Sequence, residues 1–191
     1  MNRVIIKRYL LALLLFLLPI ISLAAVPTWQ IVPAESSLTF TGTQNGAPAS
    51  GSFKKFTGDI AFDPNQLKES KVKIIIDISS VTTTYRDFTS TLLTPDWLNA
   101  IIFPNATFIA SHFNKIGNNK YTAEGSLTLR DKTIPVTVLF DTEELSKTKG
   151  RVKGSTTIKR TQFGVGQGEW ADTDTVKDEV QVDFVITAIH K

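Results

Sequence analysis

The chain contains no cysteine, a single methionine at position 1, and two histidines, His112 and His190. The missing thiols exclude disulfides, thiolate zinc sites, iron–sulfur clusters, a cysteine nucleophile and a lipid anchor on cysteine. Two imidazoles cannot build a site that needs several. Charge of one sign is scarce as well: 21 Lys and Arg face 18 Asp and Glu over 191 residues, a net +3. Arg3, Lys7 and Arg8 supply that whole excess. The remainder is neutral, so it gives no electrostatic case for nucleic acid or for an anionic membrane surface. The length suits one domain.

Long apolar runs are confined to the start. Leu10 to Ala25 is apolar apart from Pro19 and Ser22, behind the three basic residues and ahead of small residues at Ala24 and Ala25. This arrangement reads as a secretory signal peptide over residues 1–25, cleaved after Ala24 or Ala25, with a mature domain over 26–191. It implies a periplasmic or secreted protein. A retained anchor is the alternative, although a span needs roughly 20 unbroken apolar residues. Lys147, Lys149, Arg151, Lys153, Lys159 and Arg160 form a local basic stretch. Its Lys/Thr alternation suits the solvated face of a strand.

From Val26 onward the dominant period is two. Leu38 and Phe40, Ile60 and Phe62, Val72 to Ile78, Phe108 and Ala110, Leu127 and Leu129, Ile134 to Phe140, and Val180 to Ala188 alternate with more polar neighbours. Such alternation marks half-buried antiparallel strands. Turn residues separate them: Asn45-Gly46, Asp63-Pro64-Asn65, Gly117-Asn118-Asn119 and Gly150. The pattern breaks between Tyr85 and Asn99, where Thr94-Pro95-Asp96 predicts a helix start with Trp97, Leu98 and Ile101 on its apolar side. The expectation is one all-β domain of about eight strands with a short helical insertion. A sandwich and a closed barrel both fit. Glu179 to Ile189 would span roughly 36 Å at about 3.3 Å per residue, and such length favours closure, which removes edges.

Several segments in order resemble the YceI-like family of bacterial exported, lipocalin-like proteins. They are Trp29-Gln-Ile31 with Ser36 to Phe40, Gly51 to Asp63, Ile78 to Thr83 before Arg86-Asp87, and Asp96 to Asn99 leading into Phe103 to Phe108. Gly125 to Leu129, Lys132 to Val136, Arg160 to Gly166 and Asp178 to Val180 follow. The resemblance covers residues 28 to 189. It implies an eight-stranded antiparallel lipocalin-like barrel whose interior holds a polyisoprenoid, for example an isoprenoid quinone tail, with no general catalytic activity. Phe88 to Leu92 departs from the histidine and leucine the family often carries there, and the spacing from Arg86 to Trp97 is longer. Asp131 stands where the family usually has glycine, a position expected to need positive φ.

On this reading the pocket is lined by Phe40, Phe53, Phe56, Phe62, Ile74, Ile76, Phe108, Leu127, Val138, Phe140, Phe163 and Phe184. The same residues would also serve as the ordinary core of a filled barrel. Arg86 and Asp87 are candidates for head-group contact or mouth closure, or form a structural ion pair; Trp170 would cover a barrel end. No catalytic residue and no metal site is assigned. His112 and His190 read as surface residues, and Asp172, Asp174, Asp178 and Glu179 as a solvated turn rather than a calcium loop. Gly164-Val-Gly166-Gln-Gly168 reads as a hairpin because no helix follows it, as a phosphate loop would require. The expected ligand is a non-covalent isoprenoid lipid, with no cofactor and no nucleic acid. Transient contact with a membrane or with envelope proteins is expected, and both monomer and dimer stay open. The alternatives are a lipid isomerase or hydrolase, with Arg86, Asp87, Glu124 and Tyr121 as weak polar candidates, and a structural envelope protein without ligand.

Overall fold

Strands with one apolar face need that face covered, and here the sheet covers it by closing on itself. The computed structural model describes residues 25–191; the expected signal peptide lies almost wholly outside the described residues. Eleven strands follow in chain order. They are β1 (Thr28–Ile31), β2 (Ser37–Gln44), β3 (Ala47–Phe53), β4 (Phe56–Ala61), β5 (Lys71–Asp77) and β6 (Val81–Thr83), then β7 (Asn105–Gly117), β8 (Lys120–Leu129), β9 (Lys132–Ser146), β10 (Lys149–Lys159) and β11 (Glu179–His190). Among the described residues a single α-helix, α1 (Arg86–Leu92), interrupts them.

Eight strands form the ring β1-β4-β5-β7-β8-β9-β10-β11, which β11 closes against β1. Every pairing is antiparallel. The barrel reading therefore holds and the sandwich does not. Of the remaining three strands, β2 continues β1 and β6 continues β5 past a break, while β3 leads into β4 across Lys54 and Lys55. A 3-10 turn at Pro33–Glu35 separates β1 from β2, and a second at Ile78–Ser80 separates β5 from β6. The first break is held by Thr187, which is fully buried. Its hydroxyl donates to the Glu35 carbonyl at 3.0 Å, and its N–H donates to Ser36 Oγ at 3.0 Å. Thus β11 pairs with β1 through Ala188–His190 and with β2 through Gln181–Val185. At this end the order runs β11-β2-β3-β6, and β6 does not bond to β7. The insertion between them fills the gap.

The insertion differs from its expected form. The helix lies before Thr94, not after it. Phe88 and Leu92, four residues apart on one face, turn toward the interior. Thr94 Oγ1 donates back to the Thr91 carbonyl at 2.7 Å, so it ends α1 rather than capping a new helix. The carbonyls that a helix from Pro95 would need are already committed. Arg130 Nη1 donates to those of Pro95 and Trp97, and the Gly166 and Gln167 N–H groups both donate to that of Asp96 at 2.8 Å. Trp97 and Leu98 are buried, but Ile101 is 91% exposed.

The turns obey local chemistry with two corrections. Asn45 and Gly46 both carry positive φ, 50° and 77°, as the tight hairpin between β2 and β3 requires. In the β8–β9 turn the left-handed residue is Arg130, at φ 56°, rather than Asp131. Gly150 lies inside β10 rather than in the turn before it.

Candidate functional site

Inward-facing residues along β11 define the site's length. Val180, Val182, Phe184, Ile186, Ala188 and His190 all line one cavity of about 1330 Å³, so it runs nearly the whole strand. That exceeds the roughly 300–1,000 Å³ of a drug-sized pocket. Of the residues expected there, Phe40, Phe53, Phe56, Phe62, Ile74, Ile76, Phe108, Leu127, Val138, Phe140 and Phe184 line it.

Phe163 does not. It is 1% exposed and packs with Ile78, Val81, Trp97 and Val165 at the α1 end, because the chain after β10 turns into a 3-10 helix there. Arg86 and Asp87 are exposed at the outer start of α1, and neither touches the cavity. Nor do they pair with each other among the described residues. The insertion turns Thr84, Tyr85, Phe88, Thr91 and Leu92 to the cavity instead. Trp170 does line it, half-buried, with its ring 5.6 Å from that of Trp97.

The two ends differ in chemistry. Toward the ends of β7 and β9 the rings of Phe62, Phe113, Tyr121 and Phe140 pack together with centroids 5.4 to 6.4 Å apart. Each such pair contributes about 0.5–1.5 kcal/mol beyond area burial. Beyond them Trp29 meets His190 edge-on at 4.2 Å, and its Nε1 donates to the Phe62 carbonyl at 2.9 Å. Parity of alternation misses Phe113. Ala110 pairs with Gly125 and His112 with Glu124, so Ser111 is an extra residue that turns His112 outward and Phe113 inward.

At the α1 end a cation is buried. Arg160 is 2% exposed, so it is not part of the solvated basic face. Its Nε donates to the Lys177 carbonyl at 3.1 Å, Nη1 to Val165 and Gly166 at 3.0 and 3.2 Å, and Nη2 to Asp172 and Val176 at 2.9 and 2.7 Å. Burial pulls its pKa below the ordinary guanidinium value, while Asp178 and Asp172 pull it back. The Gly164–Gly168 segment is accordingly no hairpin but part of a fold around this side chain. Burial raises the Asp178 pKa, but the Thr161 N–H and hydroxyl, aided by Lys159 and Arg160, outweigh it and hold the carboxyl below its usual value. Asp172 and Asp178 serve as local caps, on Asp174 N–H and on Thr161.

The polar residues weighed for catalysis are scattered. Tyr121 lines the cavity, whereas Glu124 is exposed and accepts from Asn114 Nδ2 at 3.1 Å. Arg86 and Asp87 do not join Tyr121 on the lining; the ion pair there, among the described residues, is Arg151–Glu143 at 3.5 Å, with the glutamate side chain largely exposed. What the barrel offers is a long apolar channel with aromatic rings at one end and Arg160, Trp97 and Trp170 at the other.

A UPF0312 protein of Shewanella denitrificans is 28% identical over 194 residues, covering 97% of this chain and all of that protein. A UPF0312 protein of Vibrio parahaemolyticus is 31% identical over 88 residues, 46% of this chain and 47% of its own. Among solved structures, BcnA of Burkholderia cenocepacia is similar with a TM-score of 0.79 and 33% identity, over 82% of this chain and 98% of that one. A polyisoprenoid binding domain from Saccharophagus degradans shares the fold, with a TM-score of 0.70 over 86% of this chain and 99% of its own at 14% identity. Residues 29–188, from the first barrel strand almost to the end of the last, match the YceI-like domain, and the chain belongs to that family.

Proposed function

We propose that this protein binds a long polyisoprenoid-type lipid, such as the tail of an isoprenoid quinone, inside its barrel, and sequesters or carries it in the periplasm or outside the cell. The observation that carries this reading is the cavity of about 1330 Å³, apolar along most of β11. Each buried CH₂ favours the interior by about 0.8 kcal/mol, and a slender chain makes few polar demands on its walls. Family membership supports the reading, as does the shared fold with the Saccharophagus degradans polyisoprenoid binding domain. The expected leader over residues 1–25 supports export. Loading and release would require transient contact with a membrane or an envelope carrier.

The test is organic extraction of the purified mature protein followed by mass spectrometry. A co-purified isoprenoid lipid, or uptake of added isoprenoid quinone, is expected; repeated absence of both would sink the reading. Phe40→Asp and Phe140→Asp should lose the lipid, and Thr39→Ser, on the outer face of β2, should keep it. A folded aspartate variant that retains its lipid would put the pocket elsewhere. A lipid-modifying enzyme would need polar groups gathered on the chain, and the scatter of Tyr121, Glu124, Arg86 and Asp87 speaks for binding.

A further inference from the structure

One layer of aromatic side chains crosses the bore of the barrel. In the closed order of strands, β4 and β9 stand opposite each other. Phe62, the residue that follows β4, still reaches the Phe140 ring of β9, with centroids 5.7 Å apart. It also meets Phe113 of β7 at 5.4 Å and Tyr121 of β8 at 5.7 Å. Val72 of β5, Val152 of β10 and Phe184 of β11 pack against the same cluster, so side chains from almost the whole wall meet there. Rings at such separations are in contact, and the bore of an eight-stranded barrel is slender to begin with. The layer thus constricts the cavity where Phe62 crosses it. The backbone holds Phe62 in place: its N–H donates to the Pro27 carbonyl at 3.2 Å, and its carbonyl accepts from Trp29 Nε1 at 2.9 Å.

The cavity differs on the two sides of this layer. Toward α1 its wall is apolar, with Phe40, Phe53, Ile74, Ile76 and Leu127. The exposed lining at that end includes Ala47, Pro48, Thr84 and Tyr85, with Lys177 the charged member. Past the rings the lining ends in Lys115, Asn119, Glu144, Lys147 and His190, all exposed. A hydrocarbon chain gains by leaving water for the first side, and gains nothing among hydrated charges on the second. We infer that Phe62 is the stop that sets the length of isoprenoid tail the barrel encloses. The tail enters at the α1 end and runs inward until it meets the Phe62 ring, and further isoprene units stay outside the mouth. This inference rests on the lipid-binding reading above and adds a length preference to it.

The experiment measures dissociation constants for the series ubiquinone-2 to ubiquinone-10 on the full mature protein. Wild type, Phe62→Ala, Phe62→Leu and Phe56→Ala are compared. Wild-type affinity should rise with each added unit and then level off. Phe62→Ala removes a ring about the size of one isoprene unit, so its affinity should rise by about tenfold for one unit more before levelling. Phe62→Leu keeps apolar packing and should move the levelling point the same way by less. Phe56→Ala, on the α1 side, should weaken the whole series and leave the levelling point where it is. In wild type, nuclear Overhauser contacts should link the terminal methyl groups of the tail, and no head-group proton, to the Phe62 ring. An unmoved levelling point in a folded Phe62 variant, an equal shift in Phe56→Ala, or head-group contacts at Phe62 would overturn the inference while leaving lipid binding intact. Wild-type protein that takes up no ubiquinone of any length would overturn the lipid reading itself, and this inference with it.

Discussion

A guanidinium carries five N–H donors in a rigid planar fork. Arg160 spends them on five carbonyls between Val165 and Lys177, so one side chain ties the β10–β11 connection to the barrel end. Arg160→Met should cost about 3–5 kcal/mol, because it strands acceptors the fold cannot rewet. Arg160→Lys should recover little of that, since an ammonium is a compact point charge rather than a fork. Urea unfolding of the three proteins checks this, and a lysine variant as stable as wild type would refute it. Gly51 makes a different demand. The Phe40 ring lies directly over it across the β2–β3 pair, in the space a Cβ would take. Gly51→Ala should push Phe40 into the cavity, cost about 1–3 kcal/mol and lower the lipid bound per protein, as melting and extraction would show. Phe40's inward direction was legible from alternation alone. The burial of Arg160 was not, because its partners are backbone carbonyls, which every residue has and no sequence pattern marks.

The elements most readable in sequence were those with one continuous apolar face, β5, β9 and β11. Two local decisions were hidden. A single extra residue at Ser111 reverses which side chains of β7 face inward, and alternation cannot anticipate a bulge. In the insertion, the helix signal at Thr94-Pro95-Asp96 loses to long-range hydrogen bonds from Arg130, Gly166 and Gln167. Locally the signal was sound, and tertiary partners overrode it. The segment from Arg160 to Asp178 also carries a pH dependence. The Asp178 carboxyl has a folded pKa below its ordinary value of 3.8, chiefly through Thr161 acting against burial. Its contribution is thus complete above that ordinary value and is lost as pH falls through the folded one. Amide exchange in this segment should accelerate on acidification below pH 4, and Asp178→Asn should remove that acid step. An unchanged acid profile in the variant would show that another carboxyl is responsible.

At the scale of the whole molecule, closure was legible from strand length, but the division of labour between the two ends was not. Arg86 and Asp87 looked suited to the mouth because they adjoin the insertion in sequence, yet α1 turns them to solvent and presents Phe88 and Leu92 inward. If the cavity is a lipid site, occupancy must stabilise the entire barrel. A lipid at a hundred times its dissociation constant adds about 2.7 kcal/mol, which for a domain of this size raises the melting temperature by about 5–10 °C. Calorimetry with and without isoprenoid quinone measures it. No shift at saturating lipid would contradict a ligand enclosed by the fold.

The double role of β11 also sets an order of events in time. It follows every other barrel strand in the chain, yet it alone bonds to β1, β2 and β10. Its outermost pairing brings Lys191 N–H to the Thr28 carbonyl at 3.0 Å, across nearly the whole domain sequence. Contacts so far apart in the chain form late and slowly. Until that strand docks there is a curved sheet and no interior, so added lipid should leave the early refolding phases untouched and act on the final one alone.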